Sequence, residues 1–228
     1  MNKKKKQQPE PDVDRPLVAV LDYGIGNLRS AQKALQKVGA DARLTADPGV
    51  IAEAAGVVLP GVGAFGRCME ALADSGLRDI AFDAAADAAT EGRPFLGICI
   101  GMQMLYEGSD ESPDVAGLGV LPGHVRLIPG DVKRPQMQWN VLHQVRPTPL
   151  LAGVYDPVWV YFVHSYAAGD QTDAVATCNY GGDLVAAVAK RRLWATQFHP
   201  EKSGSMGLRI MANFVAELGL PTPVGAEG

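Results

Sequence analysis

A chain of 228 residues, 47% hydrophobic and 20% charged, can bury a full core and fits one large domain better than several small ones. Its net charge of -4 excludes a general attraction to nucleic acid or to anionic membranes. Cys68, Cys99 and Cys178 are an odd, widely spaced set without a CxxC pair, which argues against a disulfide framework or a zinc site and fits a reducing cytoplasm.

Residues 1–15 are charged and Gln/Pro-rich with nothing to bury, so they read as a solubilising tail ahead of one domain over 16–228. The basic start Lys3-Lys4-Lys5-Lys6 leads into polar and proline residues instead of a signal-peptide core. No later apolar run reaches the roughly eighteen residues needed to cross a bilayer. Leu17 to Leu21 predicts a strand. Asn27 can cap a helix that runs through Leu35 and Val38 to a stop at Gly39. Ala42 to Thr45 predicts a second strand, Asp47-Pro48 opens a short helix, and Gly56 to Leu59 predicts a third strand ending at Pro60. This βαβ rhythm implies a largely parallel sheet covered on both faces.

GVGAFG at 61–66 satisfies GxGxxG but fits a dinucleotide fingerprint poorly. It follows the third strand, and Asp83 and Asp87, about twenty residues on, lie in an alanine-rich helical stretch. Such glycines can instead turn backbone N–H groups toward a developing negative charge, which makes Gly61, Val62 and Gly63 oxyanion-hole candidates. Arg67 to Gly92 is helical with a break near Ser75-Gly76, and Cys68, Met69, Leu72 and Leu77 form its core-facing set.

GICIGMQ at 97–103 has the form of a nucleophile elbow, with Cys99 at a sharp strand-to-helix turn and Gly97 and Gly101 relieving the crowding around it. A helix predicted over Met102 to Glu107 would favour the thiolate at its N-terminus. On these residues alone, a buried structural cysteine remains the alternative. Gly108 to Gly130 is rich in turns. Strands are predicted at Val158 to Val163, Ala174 to Cys178, Leu184 to Ala189 and Leu193 to Phe198, with a closing helix over Ser205 to Leu218, so a mixed β extension follows the parallel part. Cys178 reads as core.

Of the four histidines, His124 and His143 have no recognisable acidic companion, and His164, in YFVHSY, reads as structural or as support behind the site. His199 ends a strand in ATQFHPEKSG with Glu201 two residues on. In an extended segment the two share a side, so Glu201 can orient an imidazole that activates Cys99.

GICIGMQ followed about a hundred residues later by FHPE resembles the class I, triad-type glutamine amidotransferases. The resemblance implies an open α/β sheet with the nucleophile after a central strand. It also implies that Cys99 attacks the side-chain amide of glutamine, with His199 and Glu201 completing the triad. DYGIGN at 22–27, LPGVGAFG at 59–66, PQMQWN at 135–140, YFVHSY at 161–166 and ATQFHPEKSG at 195–204 carry the resemblance across nearly the whole chain after the tail. They are similar to the branch that passes ammonia to a separate (β/α)8 cyclase subunit in the histidine pathway, which implies a heterodimer.

Carried over residue by residue, the resemblance makes Gly61, Val62 and Gly63 the oxyanion loop, with Ile100 as a further backbone donor. Gln103 and Glu111 would hold glutamine, and Ser165 and Tyr166 its α-amino and carboxylate end. Trp139, Asn140, Tyr161 and Lys202 would lie near the cyclase. No metal or organic cofactor is implied. One departure is Gln138, where the family usually has glycine: a positive φ there would strain a side-chain-bearing residue. Rival readings are a glutaminase serving another synthase, such as that of pyridoxal phosphate, a non-catalytic module of the same fold, and, least supported, an NAD-dependent oxidoreductase.

Overall fold

The computed structural model describes residues 15–155 and 157–219. The expected tail over 1–15 lies outside them except for Arg15. The first strands and helices are β1 (Leu17–Leu21), α1 (Leu28–Lys37), β2 (Asp41–Thr45), α2 (Pro48–Glu53), β3 (Gly56–Gly61), α3 (Phe65–Asp74), α4 (Arg78–Ala88), β4 (Phe95–Cys99) and α5 (Ile100–Gln103). Then come β5 (Gly108–Ser109), β6 (His124–Leu127), β7 (Gln136–Gln144), β8 (Val158–His164), β9 (Tyr166–Ala168), β10 (Ala174–Asn179), β11 (Asp183–Lys190), β12 (Leu193–Thr196) and α6 (Gly204–Ala216).

A nine-stranded sheet runs in the order β2-β1-β3-β4-β12-β11-β10-β7-β8, and β5-β6-β9 form a smaller one. The first five strands pair in parallel; the rest of the large sheet is antiparallel. The parallel strands are continuous apolar runs because helices cover both faces. All residues of β3 and β4 are buried. Phe95, Phe198, Trp194 and Phe214 are at most 1% exposed, and each such side chain contributes on the order of 1.5–3 kcal/mol of gross burial.

Local signals act largely as the sequence predicts. Asp47 caps α2 by accepting from the N–H groups of Gly49 and Val50. Asn27 precedes α1, but its side chain accepts from Ser30 Oγ at 2.8 Å instead of capping the backbone. The sequence reading has no strand at 136–144, where β7 forms a ladder with β8 through pairs such as Gln136↔His164, Gln138↔Phe162 and Trp139↔Tyr161. Gln138 lies within this strand and is not among the positive-φ residues, so the expected strain does not arise.

Candidate active site

Cys99 ends β4 and is hydrogen-bonded into the middle of the parallel sheet, with β3 on one side and β12 on the other. Its backbone has φ 55 and ψ -110, a conformation that costs a side-chain-bearing residue of order 1–3 kcal/mol. The elbow is possible because Gly101 and Gly97 are bare. A Cβ at Gly101 would lie 1.8 Å from the Leu59 carbonyl oxygen, and one at Gly97 would lie 2.9 Å from that of Gly101.

The helix after the elbow is shorter than predicted and lies earlier, covering Ile100–Gln103. Leu105 and Tyr106 bond back three residues, to Met102 and Gln103, and the N–H of Glu107 is captured by the Gly123 carbonyl, so the α pattern stops. With only four residues it supplies little dipole to the sulfur. Cys99 Sγ accepts from the Gln197 amide, Nε2 at 3.8 Å, and donates to the Val163 carbonyl at 4.0 Å.

His199 and Glu201 meet as expected, Nδ1 to Oε1 at 2.8 Å, with side chains only 1% and 3% exposed. The expected reason needs correcting. β12 stops at Thr196, and Glu201 lies in a 3-10 turn, Pro200–Lys202, so the pair spans the entry to a turn instead of one extended segment. The loop is anchored to β8: the His199 N–H donates to the Tyr161 carbonyl at 2.9 Å, Ser203 Oγ donates to the His199 carbonyl at 2.6 Å, and the Tyr161 N–H donates to Ser203 Oγ at 3.0 Å. Ser203 occupies the cap position of α6 yet makes no cap bond there.

Burial disfavours the charged form of the His199 imidazole, but its interactions with Cys99 and Glu201 prevail and raise its pKa to about 9. Its Nε2 is buried and makes no hydrogen bond in this resting geometry. Catalytic hydrogen bonds are often loose before substrate binds. A protonated imidazole beside a cysteine is the arrangement that holds a thiolate.

Val62, Gly63, Cys99, Ile100, Gln103, Glu111, Ser165, Tyr166 and His199 line one cavity of about 240 Å³, the scale of a single small metabolite. Gly61 stands behind it, packed against Gly101 and Ile100. The Val62 carbonyl accepts from Cys68 Sγ at 3.3 Å and so turns toward α3, and Gly63 has φ 99. Cys68, read from sequence as core, is thus also a support of this loop. Glu111 Oε2 accepts from the Phe65 N–H at 2.8 Å. Gln103 is 1% exposed; its Nε2 donates to the Tyr166 carbonyl at 3.0 Å and to Gln197 Oε1 at 2.9 Å, while its own Oε1 is buried without a partner.

His164 forms part of the cavity wall. Its Nδ1 lies 2.8 Å from the Tyr166 carbonyl and its Nε2 2.9 Å from the Gln136 amide. Burial, against the pull of that carbonyl and with the charge of His199 adding to it, lowers its pKa to about 4, so the ring is neutral. His124 does have an acidic neighbour, Asp110 at 3.9 Å, but both are well exposed and such a pair is weak.

The expected partner residues are not all on one surface. Trp139 and Tyr161 face the same way, with ring centroids 6.0 Å apart in an edge-on contact. Asn140 points to the other face of β7, as alternation requires, and its Nδ2 donates to the Asn179 carbonyl at 3.0 Å. Lys202 is exposed in a groove with Lys33 and Lys37. The sequence reading missed Gln197, Met137 and Trp159. Alternation in β8 places Trp159 on the face of Tyr161; Gln197, one residue before the FHPE motif, shows nothing in sequence that marks a role.

Residues 19–218 match the glutamine amidotransferase class-I family. The imidazole glycerol phosphate synthase subunit HisH of Geobacter sulfurreducens is 48% identical over 206 residues, 86% of this chain and 97% of that protein. The HisH subunit of Methanothermobacter thermautotrophicus is 48% identical over 200 residues, 87% of this chain and 98% of that protein. Among solved structures, PurLQS from Thermotoga maritima superposes with TM-score 0.69 at 22% identity, covering 90% of this chain and all (100%) of that one. A structure described as a glutamine amidotransferase gives 0.67 at 21% identity, covering 89% and 99%. At those identities the likeness is one of fold.

Proposed function

The chain belongs to the class-I glutamine amidotransferase family and is a glutaminase subunit of imidazole glycerol phosphate synthase in histidine biosynthesis; from that premise we propose how its residues carry the reaction and which subunit receives the ammonia. The proton of Cys99 passes to His199, and the thiolate attacks the amide carbon of glutamine. The oxyanion is held by backbone N–H groups at Val62 and Ile100, and removing one such donor typically costs on the order of 10²–10³ in kcat. His199, kept in orientation by Glu201, protonates the departing ammonia, and water then cleaves the thioester to glutamate. Gln103 and Glu111 hold glutamine, with Ser165 and Tyr166 at its α-amino and carboxylate end.

The observation that carries this reading is the joint placement of Cys99 at φ 55 and of the buried His199–Glu201 pair around one cavity, at the carboxyl ends of the neighbouring parallel strands β4 and β12. Open α/β sheets bind their ligands at that edge. Residues 16–228 are read as one amidotransferase domain, supported by the unbroken strand order of the large sheet.

The protein works as a subunit of a complex. Its partner is the (β/α)8 cyclase subunit, which uses the ammonia to convert the phosphoribulosyl aminoimidazole carboxamide nucleotide into imidazole glycerol phosphate and an aminoimidazole carboxamide ribonucleotide. The exposed Met137, Trp139 and Trp159, on one face of β7 and β8 with Tyr161, support this as the docking surface. Asn140, on the other face of β7, and Lys202, in its groove with Lys33 and Lys37, stand outside this aromatic patch. Neither nucleic acid nor a membrane is a partner in this reading; among the described residues no helix is long and apolar enough to cross a membrane. A cytoplasmic location suits the three free thiols.

Because free hydrolysis would waste glutamine, the Gly61–Gly63 loop is held inactive until the ligand-bound cyclase docks, with Gly63 permitting the peptide to rotate. The deciding experiment measures glutamate release with and without the cyclase and its nucleotide, in wild type and Cys99→Ala. Strong stimulation in wild type and none in the variant is expected. Equal turnover by the free subunit and the complex would overturn the gating, and activity in Cys99→Ala would overturn the mechanism.

A further inference from the structure

The reaction scheme leaves unassigned the group that touches the nucleophile from behind. Gln197 is fully buried, and its backbone is pinned where its N–H donates to the Ala186 carbonyl at 2.8 Å. Its side-chain Oε1 accepts from Gln103 Nε2 at 2.9 Å, and its Nε2 donates to Cys99 Sγ at 3.8 Å. A side-chain amide has one accepting and one donating end. Gln103 is itself fixed by its bond to the Tyr166 carbonyl and offers only N–H to Gln197. The carbonyl of Gln197 is therefore turned away from the sulfur and its NH2 toward it.

A buried anion needs a donor. The four-residue α5 supplies little dipole, and His199 is also required to give up a proton to the leaving group. We propose that Gln197 is a catalytic residue whose side-chain N–H holds the Cys99 thiolate before it attacks and again as it leaves the thioester, and that Gln103 is the positioning residue that keeps this amide turned the right way. The proposal deepens the amidotransferase reading and rests on it for the meaning of the thiolate. It also gives Gln103 two tasks: its NH2 orients Gln197, while its unpartnered Oε1 remains an acceptor at the cavity wall. No bond to the substrate forms at either glutamine; both act by hydrogen bonds alone.

The test is the pH dependence of Cys99 alkylation by iodoacetamide, read by mass spectrometry of the peptide that contains it, so that Cys68 and Cys178 do not interfere. Gln197→Met keeps the bulk and removes the donor. Its alkylation midpoint should rise by about one pH unit. Gln103→Met should produce a smaller rise. In the complex with the cyclase, Gln197→Met should lower kcat at least tenfold with KM nearly unchanged, and Gln197→Glu, which places a carboxylate near the sulfur, should be worse.

A folded Gln197→Met with the wild-type alkylation profile would overturn the proposal, as would a change in KM alone. Should Gln197→Met not fold, Gln197→Asn withdraws the amide by one methylene and poses the same question with the same two outcomes. Wild type lacking glutaminase activity in the complex would remove the amidotransferase reading, whereas the alkylation comparison judges the Gln197 donor on its own.

Discussion

The two ends of the large sheet differ in what they leave exposed. In β1 the residues Val18 to Leu21 are all 0% exposed, whereas in the β7–β8 pair Met137 is 61% and Trp159 56% exposed. The parallel end surrounds the strand that ends at Cys99 with hydrogen-bonded neighbours on both sides, so the sulfur is held by backbone that cannot shift without breaking the core. The antiparallel end buries one face, with Val160, Phe162 and His164, and leaves the other bare. Substitutions in the first region should strike chemistry or folding, and those on the bare face should strike coupling to the partner and little else.

The largest effect that would sharpen this contrast is Cys99→Ala, expected to lower glutamate release in the complex by at least about a thousandfold while circular dichroism stays native. A folded variant with residual activity would break it. Next comes His164, a buried group of the antiparallel end that should act on stability. Its folded-state pKa of about 4 lies below the unfolded 6.5, so the unfolded chain binds the proton first. Its contribution is complete above pH 6.5 and is lost as the pH falls toward 4, by up to about 3 kcal/mol. Urea midpoints of wild type should drop over that window and those of His164→Gln should drop less; parallel profiles would reject the cause.

Gly101→Ala should cost at least about 1–3 kcal/mol, because the new methyl meets the Leu59 carbonyl; an unchanged melting temperature would show that the elbow has slack. On the bare face, Trp139→Ala should leave thermal stability nearly unchanged but weaken stimulation by the cyclase by about 1–2 kcal/mol, read from the cyclase concentration giving half-maximal rate. Loss of stability with normal stimulation would reverse the assignment. The smallest effect is expected from Gln138→Gly, which should destabilise by less than about 1 kcal/mol, since the strand needs no left-handed residue there. A gain in stability would indicate strain after all.

Much of the parallel end was legible because its signals are local. Apolar runs ending at glycine, Asp47 before Pro48, and the GICIGMQ turn each state their structure within a few residues. The pairing of Cys99 with His199 and Glu201 was legible through two short motifs, although the geometry that joins the last two is a turn and not extended chain. The helix after Cys99 was misplaced because its end is set by distant partners such as Gly123. β7 was missed because its alternation of Gln136, Gln138 and Asn140 with Met137, Trp139 and Val141 does not follow the usual polarity: Met137 and Trp139 are exposed while Gln136 is buried. Gln197 was invisible because a buried glutamine in sequence looks like any other polar residue until the sulfur and Gln103 are seen beside it.

β8 is the last strand of the large sheet, and an open edge invites another chain to add itself by backbone pairing. At Tyr161 that invitation is withdrawn, because its N–H is spent on Ser203 and its carbonyl on His199. A visitor must therefore meet the aromatic rings broadside instead of lengthening the ladder at this point. The segment that presents the imidazole thus also blocks edge-to-edge pairing at this residue of the border.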